Sequence, residues 1–521
     1  MKIFCIIILG FAVCCFAFSK KMFAGTKVDS YINKQLKRQQ YGDTHKRIRK
    51  LDFSPFIEDL NNFKNYAKVE EKISCVENVY EIQELFDSEQ LSSYQLVLFY
   101  LKQIQLYDPQ LNAILELNPE VLKQAISIDN KRLKRRSPLH GIPVLLKDNI
   151  GVAGKMHTSA GAAALKDARC DRDAELVKNL RNNGALLLGK TNLSEWANFM
   201  SFSSANGFSS LGGQTKNPHG LFDVGGSSSG SASAVAKNLC SLSIGTETSG
   251  SIIYPASQNS VFALKPTLGI ISQDRIIPIT SKQDTAGPMA QNVTDLAVLF
   301  FAMQGEYRQA NVLDHAALKK AKIGILYGQQ YQKNFREGDK GFRQKMHQQF
   351  EKLGATVKEI EVNEPLLGMV DAYHVMVYDF PRELQLYLQQ TQQKIISLQE
   401  VFNYNNRQKN KYAPFGQGII RYSLKKKITK QQYQVLVQNN REITKKTLDN
   451  LFDKNDIEII ATLSNYFTSV YAPCGYPAIS IPLGYRDSGE PIGMTLIAKE
   501  HEDKKLLDIA YSYEQFCKRS K

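Results

Sequence analysis

Apolar runs of strand length alternate with helically spaced segments along most of this chain, which predicts an α/β protein with helices flanking a mixed sheet. Two further observations point to a large globular body. Hydrophobic residues make up 43% and charged residues 22% of the 521 positions, an ordinary balance for a chain that buries a sizeable core. No internal repeat of roughly 20–50 residues and no low-complexity tract breaks the pattern.

The N-terminus departs from it. Lys2 precedes an uncharged apolar run over residues 3–18, followed by Ser19-Lys20-Lys21. A basic start, a short apolar core and small residues at Ala17 and Ser19 read as a secretory signal peptide, residues 1–19. As a helix the run spans about 24 Å, short of the ~30 Å hydrocarbon core. Cleavage near Ser19 is therefore expected, and a secreted or endomembrane-luminal protein with it. A membrane anchor retained over residues 3–18 is the alternative, and the only membrane contact expected. Residues 20–74 read as a basic N-terminal extension of mixed helical character. Residues 20–50 hold ten Lys/Arg against two Asp. A solvated leader is expected there, because no aromatic interleaving or nucleic-acid motif accompanies the charge. No nucleic-acid partner is expected, although the whole chain carries a net charge of +15.

Cys5, Cys14 and Cys15 fall in the apolar run, leaving Cys75, Cys170, Cys240, Cys474 and Cys517. These show neither CxxC nor metal-like His/Cys spacing, so neither a metal site nor a disulfide framework is expected.

From Val79 the apolar spacing becomes helical, first over residues 79–86 and then over 92–101 with Ser92 as N-cap. Asp108-Pro109 predicts a turn and residues 119–134 a third helix. His140-Gly141-Ile142-Pro143-Val144-Leu145-Leu146-Lys147 reads as a turn into a buried strand that ends on a lysine. A lysine there either snorkels to the surface or, if buried, loses its charge and becomes able to accept a proton.

Gly184-Ala185-Leu186-Leu187-Leu188-Gly189-Lys190-Thr191 fits the phosphate-loop pattern GxxxxGK[ST]. The reading is rejected, since residues 175–182 read as a helix, Gly184 as its cap and residues 185–188 as a buried strand. Trp196, the only tryptophan, is expected in the core or in a pocket wall. The sequons at Asn192 and Asn292 fall in segments expected to be packed.

Residues 225–269 hold two Ser/Gly clusters, Gly225-Gly226-Ser227-Ser228-Ser229-Gly230 and Thr248-Ser249-Gly250-Ser251. An isolated Gly/Ser run is usually a linker. Here a small-residue helix and a buried strand follow, so two serine-bearing turns on a packed scaffold are expected. Gly226-Ser227-Ser228-Ser229-Gly230 also fits GxSxG with Ser228 as the nucleophile. That needs an acid and a histidine downstream, and His315, His347, His374 and His501 lie in contexts unlike a triad.

This stretch resembles the amidase signature family of serine hydrolases. The family pattern places a nucleophile at Ser251, a second serine at Ser227, 24 residues upstream, and a lysine at Lys147 in Leu146-Lys147-Asp148-Asn149. The likeness runs from about Val79 to Phe516. It implies a single large α/β/α layered domain around a mixed β-sheet, the amidase signature fold, over residues 75–521. It also implies a cis bond before Ser227, an oxyanion hole from the backbone of Thr248, Ser249, Gly250 and Ser251, and no metal or organic cofactor. Ser251 would attack, with Ser227 relaying its proton to neutral Lys147, whose pKa should fall towards ~7–8. The substrate class is a small-molecule or peptide amide. Where the family pattern reads Asp-Thr-Gly-Gly-Ser-Ile-Arg, this chain has Glu247-Thr248-Ser249-Gly250-Ser251-Ile252-Ile253. Ser249 is expected to need a backbone angle that glycine takes more freely. The missing arginine favours neutral amides over acidic ones. An amidotransferase-like subunit, a catalytically dead relative and a Ser-His hydrolase on Ser228 are the alternatives.

Beyond the core, a helix is expected from Asn292, then alternating strands and helices to about Ile360. Residues 365–455 read as polar and mainly helical, and are expected to shape the substrate entrance. The C-terminal Pro- and Gly-bearing segments over 473–484 and 489–493 read as edge-compatible strands.

Overall fold

The computed structural model describes residues 28–131, 137–306, 312–328, 339–362, 368–391, 393–425 and 428–519, with side chains from residue 33. The expected signal peptide or anchor lies outside the described residues. In chain order the strands are β1 (Ile114–Leu117), β2 (Pro143–Lys147), β3 (Leu186–Thr191), β4 (Phe208–Ser209), β5 (Gly213–Gln214), β6 (Leu242–Glu247) and β7 (Phe262–Lys265). There follow β8 (Thr285–Ala290), β9 (Lys322–Tyr327), β10 (Thr356–Glu361), β11 (Ile459–Leu463), β12 (Ala478–Tyr485) and β13 (Pro491–Ile497). All but the β4–β5 pair join one sheet of order β1-β3-β2-β6-β8-β7-β12-β13-β11-β9-β10. It is mixed: β3, β2 and β6 run parallel, as do β11, β9 and β10, while β8, β7, β12 and β13 pair antiparallel.

Strand side chains alternate between two cores, as a pleat of period two requires. From β7, Phe262 and Leu264 enter the larger core and Ala263 the opposite one. In β11, Ile459, Ala461 and Leu463 face the larger core while Ile460 faces away. Helices Ser93–Leu111, Glu175–Asn182, Val293–Met303 and Asp503–Arg519 bury the first face. Helices Ser229–Ala236, Ile253–Asn259, Lys430–Asn455 and Thr468–Cys474 bury the second. The expected α/β/α layering is therefore present.

Several local expectations hold. Ser92 caps its helix in a reciprocal box with Gln95. Glu175–Asn182 is a helix, Gly184 follows with φ +76°, and β3 is fully buried, so Lys190 lies within a core strand and no phosphate loop exists there. Asn192 and Asn292 are buried, and Asn192 Nδ2 donates to the carbonyls of Asn112 and Gly213.

Three expectations are corrected. Asp108-Pro109 is not a turn but the last turn of helix Ser93–Leu111, which ends at left-handed Asn112. The buried Asp108 carboxylate accepts from the N–H groups of Ala113 and Ile114, at 2.7 and 3.0 Å, and so directs the exit into β1. The C-terminal strands β12 and β13 are interior, not edge, strands. Their prolines are accommodated because the register shifts between Pro482 and Gly484, and Pro491 opens its strand. The basic arm is not a solvated leader from residue 35 onward. Gln35 and Gln39 are buried, Arg47 donates to the Ile114 carbonyl at 3.0 Å, and Arg49 pairs with Glu116 at 3.1 Å. Phe56, Leu60, Val69 and Ile73 join the larger core, so residues 56–73 share it with the chain beyond 75.

Helix Ala372–Gln390 builds a satellite core against the Trp196 segment. Phe380 meets Trp196 and Phe199 edge-on, at 6.1 and 5.3 Å between centroids. Truncating this fully buried ring, Phe380→Ala, should cost about 3–5 kcal/mol. Exposed Leu386→Ala on the same helix should stay within about 0.5 kcal/mol. Urea melts of the two variants test this assignment of the buried face.

Candidate active site

The parallel neighbours β2 and β6 align Leu145 with Ser243 and Leu146 with Ile244. Their carboxyl ends therefore deliver Lys147 beside Thr246 and Glu247. That end of an α/β sheet is where ligands bind, because loops rather than strands cap it. The small-residue helix Ser229–Ala236 lies on the same strands and can approach closely because it carries almost no bulk. A Cβ on Gly230 would sit 2.4 Å from the carbonyls of Ala113 and Asn192, and one on Gly245 would sit 2.7 Å from Ser228 Oγ. Ser227 and Ser228 precede that helix and meet the lysine.

Lys147 is fully buried. Its Nζ lies 2.7 Å from Ser227 Oγ, 3.0 Å from Ser228 Oγ, 2.9 Å from Thr246 Oγ1 and 3.1 Å from the Thr246 carbonyl. Burial pulls the ammonium down to about 7, against the raising fields of Asp284 and Glu247. Snorkelling is thereby excluded, and the amine is in large part neutral near pH 7.

The two serines around the lysine differ in how their hydroxyls are engaged. Ser228 Oγ donates to the Thr246 carbonyl at 3.0 Å and accepts the Thr246 N–H at 3.1 Å. Its proton is thus committed to a backbone oxygen. Of the two serines, only Ser227 keeps a hydroxyl proton free to meet a neutral lysine's lone pair, and at 2.7 Å it is closer to Nζ than the Thr246 hydroxyl at 2.9 Å. Among the described residues no histidine hydrogen-bonds to Ser228 Oγ, whose partners are Lys147 and Thr246, which removes the structural basis for a Ser-His pair there. The peptide bond Gly226–Ser227 is cis.

Ser251 sits in the facing turn. Its carbonyl accepts the Ser228 N–H at 3.2 Å, which brings the two serine turns together. At 9% exposure it is the most open of the three, whereas Lys147 and Ser227 are at 0%. Among the described residues, no acceptor is found for the backbone N–H groups of Ser249, Gly250 and Ser251. Unpaired donors in such a turn form an anion-accepting nest. The expected strain at Ser249 is corrected: the left-handed angle falls on Gly250, at φ +82°, where a glycine is present. Ile253, at the position of the family's arginine, is fully buried in the apolar cluster with Val470 and Tyr471.

Sequence reasoning passed over the groups that hold this turn. Glu247 Oε2 accepts the N–H groups of Ile252 and Ile253 at 2.8 and 3.0 Å, closing residues 248–251 into a ring. Thr248 Oγ1 donates to Asp284 at 2.6 Å, and Asp284 also accepts from the N–H groups of Ile279 and Thr280. Burial raises the Asp284 carboxyl to about 7. The helical region lies over this loop: Asp379 accepts from Thr280 Oγ1 and Glu383 from Ser281. A small cavity beside Thr248 is lined by Asn149, Ala197, Gln273, Ile276 and Asp284. The signal for Asp284 was an acid opening the apolar run Thr285-Ala286-Gly287-Pro288-Met289. Glu247 gave none beyond its place in the motif. Among the described residues, no group of three His, Cys, Asp or Glu side chains is placed to hold a metal ion.

Comparison with known proteins shows the family and the fold. The family model described as Amidase matches residues 95–469. The chain is 35% identical over 463 residues to a probable amidase of Arabidopsis thaliana, covering 84% of this chain and 89% of that protein. An amidase family protein from Bacillus anthracis superposes with a TM-score of 0.82 at 36% identity, covering 89% of this chain and 96% of that one. The peptide amidase of Stenotrophomonas maltophilia superposes with a TM-score of 0.80 at 34% identity, covering 85% and 97%.

Removing the carboxylate that closes the turn should be costly. Glu247→Ala strands two buried N–H groups and should lose about 3 kcal/mol. Glu247→Gln keeps an acceptor and should recover most of that loss. Equal melting midpoints for the two variants would remove this role from Glu247.

Proposed function

The chain belongs to the amidase family, and from that premise we propose that it hydrolyses a carboxylic amide to acid and amine through an acyl-enzyme on Ser251. The observation that carries this reading is the buried Lys147 amine, held at about 7 and 2.7 Å from Ser227 Oγ, beside a turn with free N–H donors. A serine hydroxyl is a weak nucleophile until a base takes its proton. Ser251 Oγ attacks the carbonyl carbon while its proton passes to Ser227 Oγ, which gives its own to the Lys147 lone pair. The backbone donors of the Thr248–Ser249–Gly250–Ser251 turn receive the oxyanion, each such donor contributing about 3–4 kcal/mol to the transition state. The proton then returns by the same route to the leaving nitrogen, the C–N bond breaks, and an ester on Ser251 remains. Water enters, its proton follows the relay, and the acid departs.

The buried Ile253 offers no charge to a substrate carboxylate, which supports a neutral amide. The likeness to a peptide amidase supports a peptide amide within that class. Helix Ala372–Gln390 and the cavity beside Thr248 are the proposed entrance. For the N-terminus, the apolar run over residues 3–18 supports entry into the secretory pathway.

Labelling with a serine-reactive fluorophosphonate tests the assignments. Ser251→Ala should abolish labelling and amide hydrolysis in a folded protein, and Lys147→Ala should lower both by at least about 10³-fold. Ser227→Ala should cost a large factor and Ser228→Ala much less, because the Ser228 proton is committed to the Thr246 carbonyl while Ser227 Oγ lies nearest the lysine. Labelling retained in Ser251→Ala and lost in Ser228→Ala would overturn the relay.

The pH dependence has a definite sign. Lys147 must be neutral to accept a proton, so the rate should rise with pH through about 7 and then level off. Asp284, itself raised to about 7, raises the lysine when ionised, so Asp284→Asn should move this acid limb to lower pH. A limb that stays in place or moves upward would remove Asp284 from the electrostatics of the base.

A further inference from the structure

Beyond the lysine cluster, the most heavily used buried acceptor near the serine turns is Asp223. It is fully buried. One carboxylate oxygen accepts from the Gly225 N–H at 3.0 Å, from Gln39 Nε2 at 2.9 Å and from Asn206 Nδ2 at 3.1 Å. The other accepts from the Tyr254 hydroxyl at 2.7 Å and again from Asn206, at 3.0 Å. Gly225 is two residues before Ser227, and Tyr254 is three residues after Ser251. The two segments are also in direct contact. Gly225 has φ +69°, and a Cβ there would sit 2.7 Å from Pro255 Cα. Gln39 comes from helix Val28–Asp43, which docks through Gln35 onto the Asn206 N–H at 3.2 Å.

We propose that Asp223 is a positioning residue that locks the turn carrying Ser227 to the helix following Ser251, and that the N-terminal helix contributes to this lock through Gln39. The inference rests on the Ser251–Ser227–Lys147 reading above. Its physical basis is geometric. Proton transfer between two hydroxyls requires a hydrogen-bond separation, and a small displacement of one turn relative to the other breaks it. A buried carboxylate is anchored by its donors, and it anchors them in return. Tyr254 stands beside Ile253, at the point where this chain departs from the arginine of its family. The basic N-terminal segment is then a structural part of the active site, not a detachable leader from residue 35 onward.

The test uses the full chain and a fluorophosphonate probe, with labelling mapped to Ser251 by peptide mass and rates normalised to folded protein. Tyr254→Phe removes one hydroxyl and Gln39→Leu one amide, each without loss of volume. Each should lower the first-order labelling rate about tenfold, while the probe's half-saturation concentration stays close to that of the parent and the melting midpoint falls only by what one lost buried hydrogen bond costs. A Tyr254→Phe/Gln39→Leu double variant should lose less than the product of the single losses, since both act through one carboxylate. Unchanged labelling rates in both single variants would overturn the proposal. So would rate losses that merely track a lowered melting midpoint, which a purely structural carboxylate predicts. Labelling of the parent at a serine other than Ser251 would instead defeat the underlying assignment of the nucleophile, so the two failures are distinguishable.

Discussion

A lysine amine removed from water at the end of β2 is the constraint around which the site is built. An ammonium there loses its hydration, and only the fields of Asp284 and Glu247 oppose the loss. Everything near Nζ is consistent with a base that spends much of its time uncharged. Its partners are hydroxyls and one carbonyl, with no carboxylate among them. A carboxylate at hydrogen-bond distance would restore the charge and remove the base. The anions nearby act at longer range and are occupied with holding backbone.

Those anions form a second tier of organisation. Glu247 closes the turn that carries Ser251, Asp284 ties its first residue to the loop beneath the helical cap, and Asp223 joins it to the other serine turn. Each is buried and accepts from N–H or O–H donors, Glu247 through one carboxylate oxygen alone. Such acceptors hold loops whose own backbone forms no ladder. The same device recurs at Asp108, which directs the chain from a helix into β1. Loops at the carboxyl end of the sheet are thereby tied to one another by side-chain hydrogen bonds, which a site of matched hydroxyls requires.

What was misread in the sequence has a common cause. Pro482 and Pro491 suggest edge strands because a proline cannot complete a ladder, yet a register shift and a strand start accommodate them in the sheet interior. Pro109 suggests a break, yet it lies in a last turn whose exit Asp108 supports. The arm over residues 35–49 lacks apolar periodicity, so it reads as solvated, yet glutamines and arginines bury it through hydrogen bonds. Apolar spacing reports burial by the hydrophobic effect and is silent on burial by polar contact.

The sequence by itself determined the α/β class and the helices and strands of strong periodicity, and its motif spacing singled out Lys147, Ser227 and Ser251. Pattern period and motif spacing are local properties, legible without coordinates. Only the tertiary structure decided which serine the lysine lone pair can face, because that depends on the Ser228 proton being committed to the Thr246 carbonyl. It also decided that Glu247, Asp284 and Asp223 hold the turns, and that Gln39 reaches across 184 positions to do so. Such contacts join residues distant in the chain through direction and distance, and a single sequence carries no record of either.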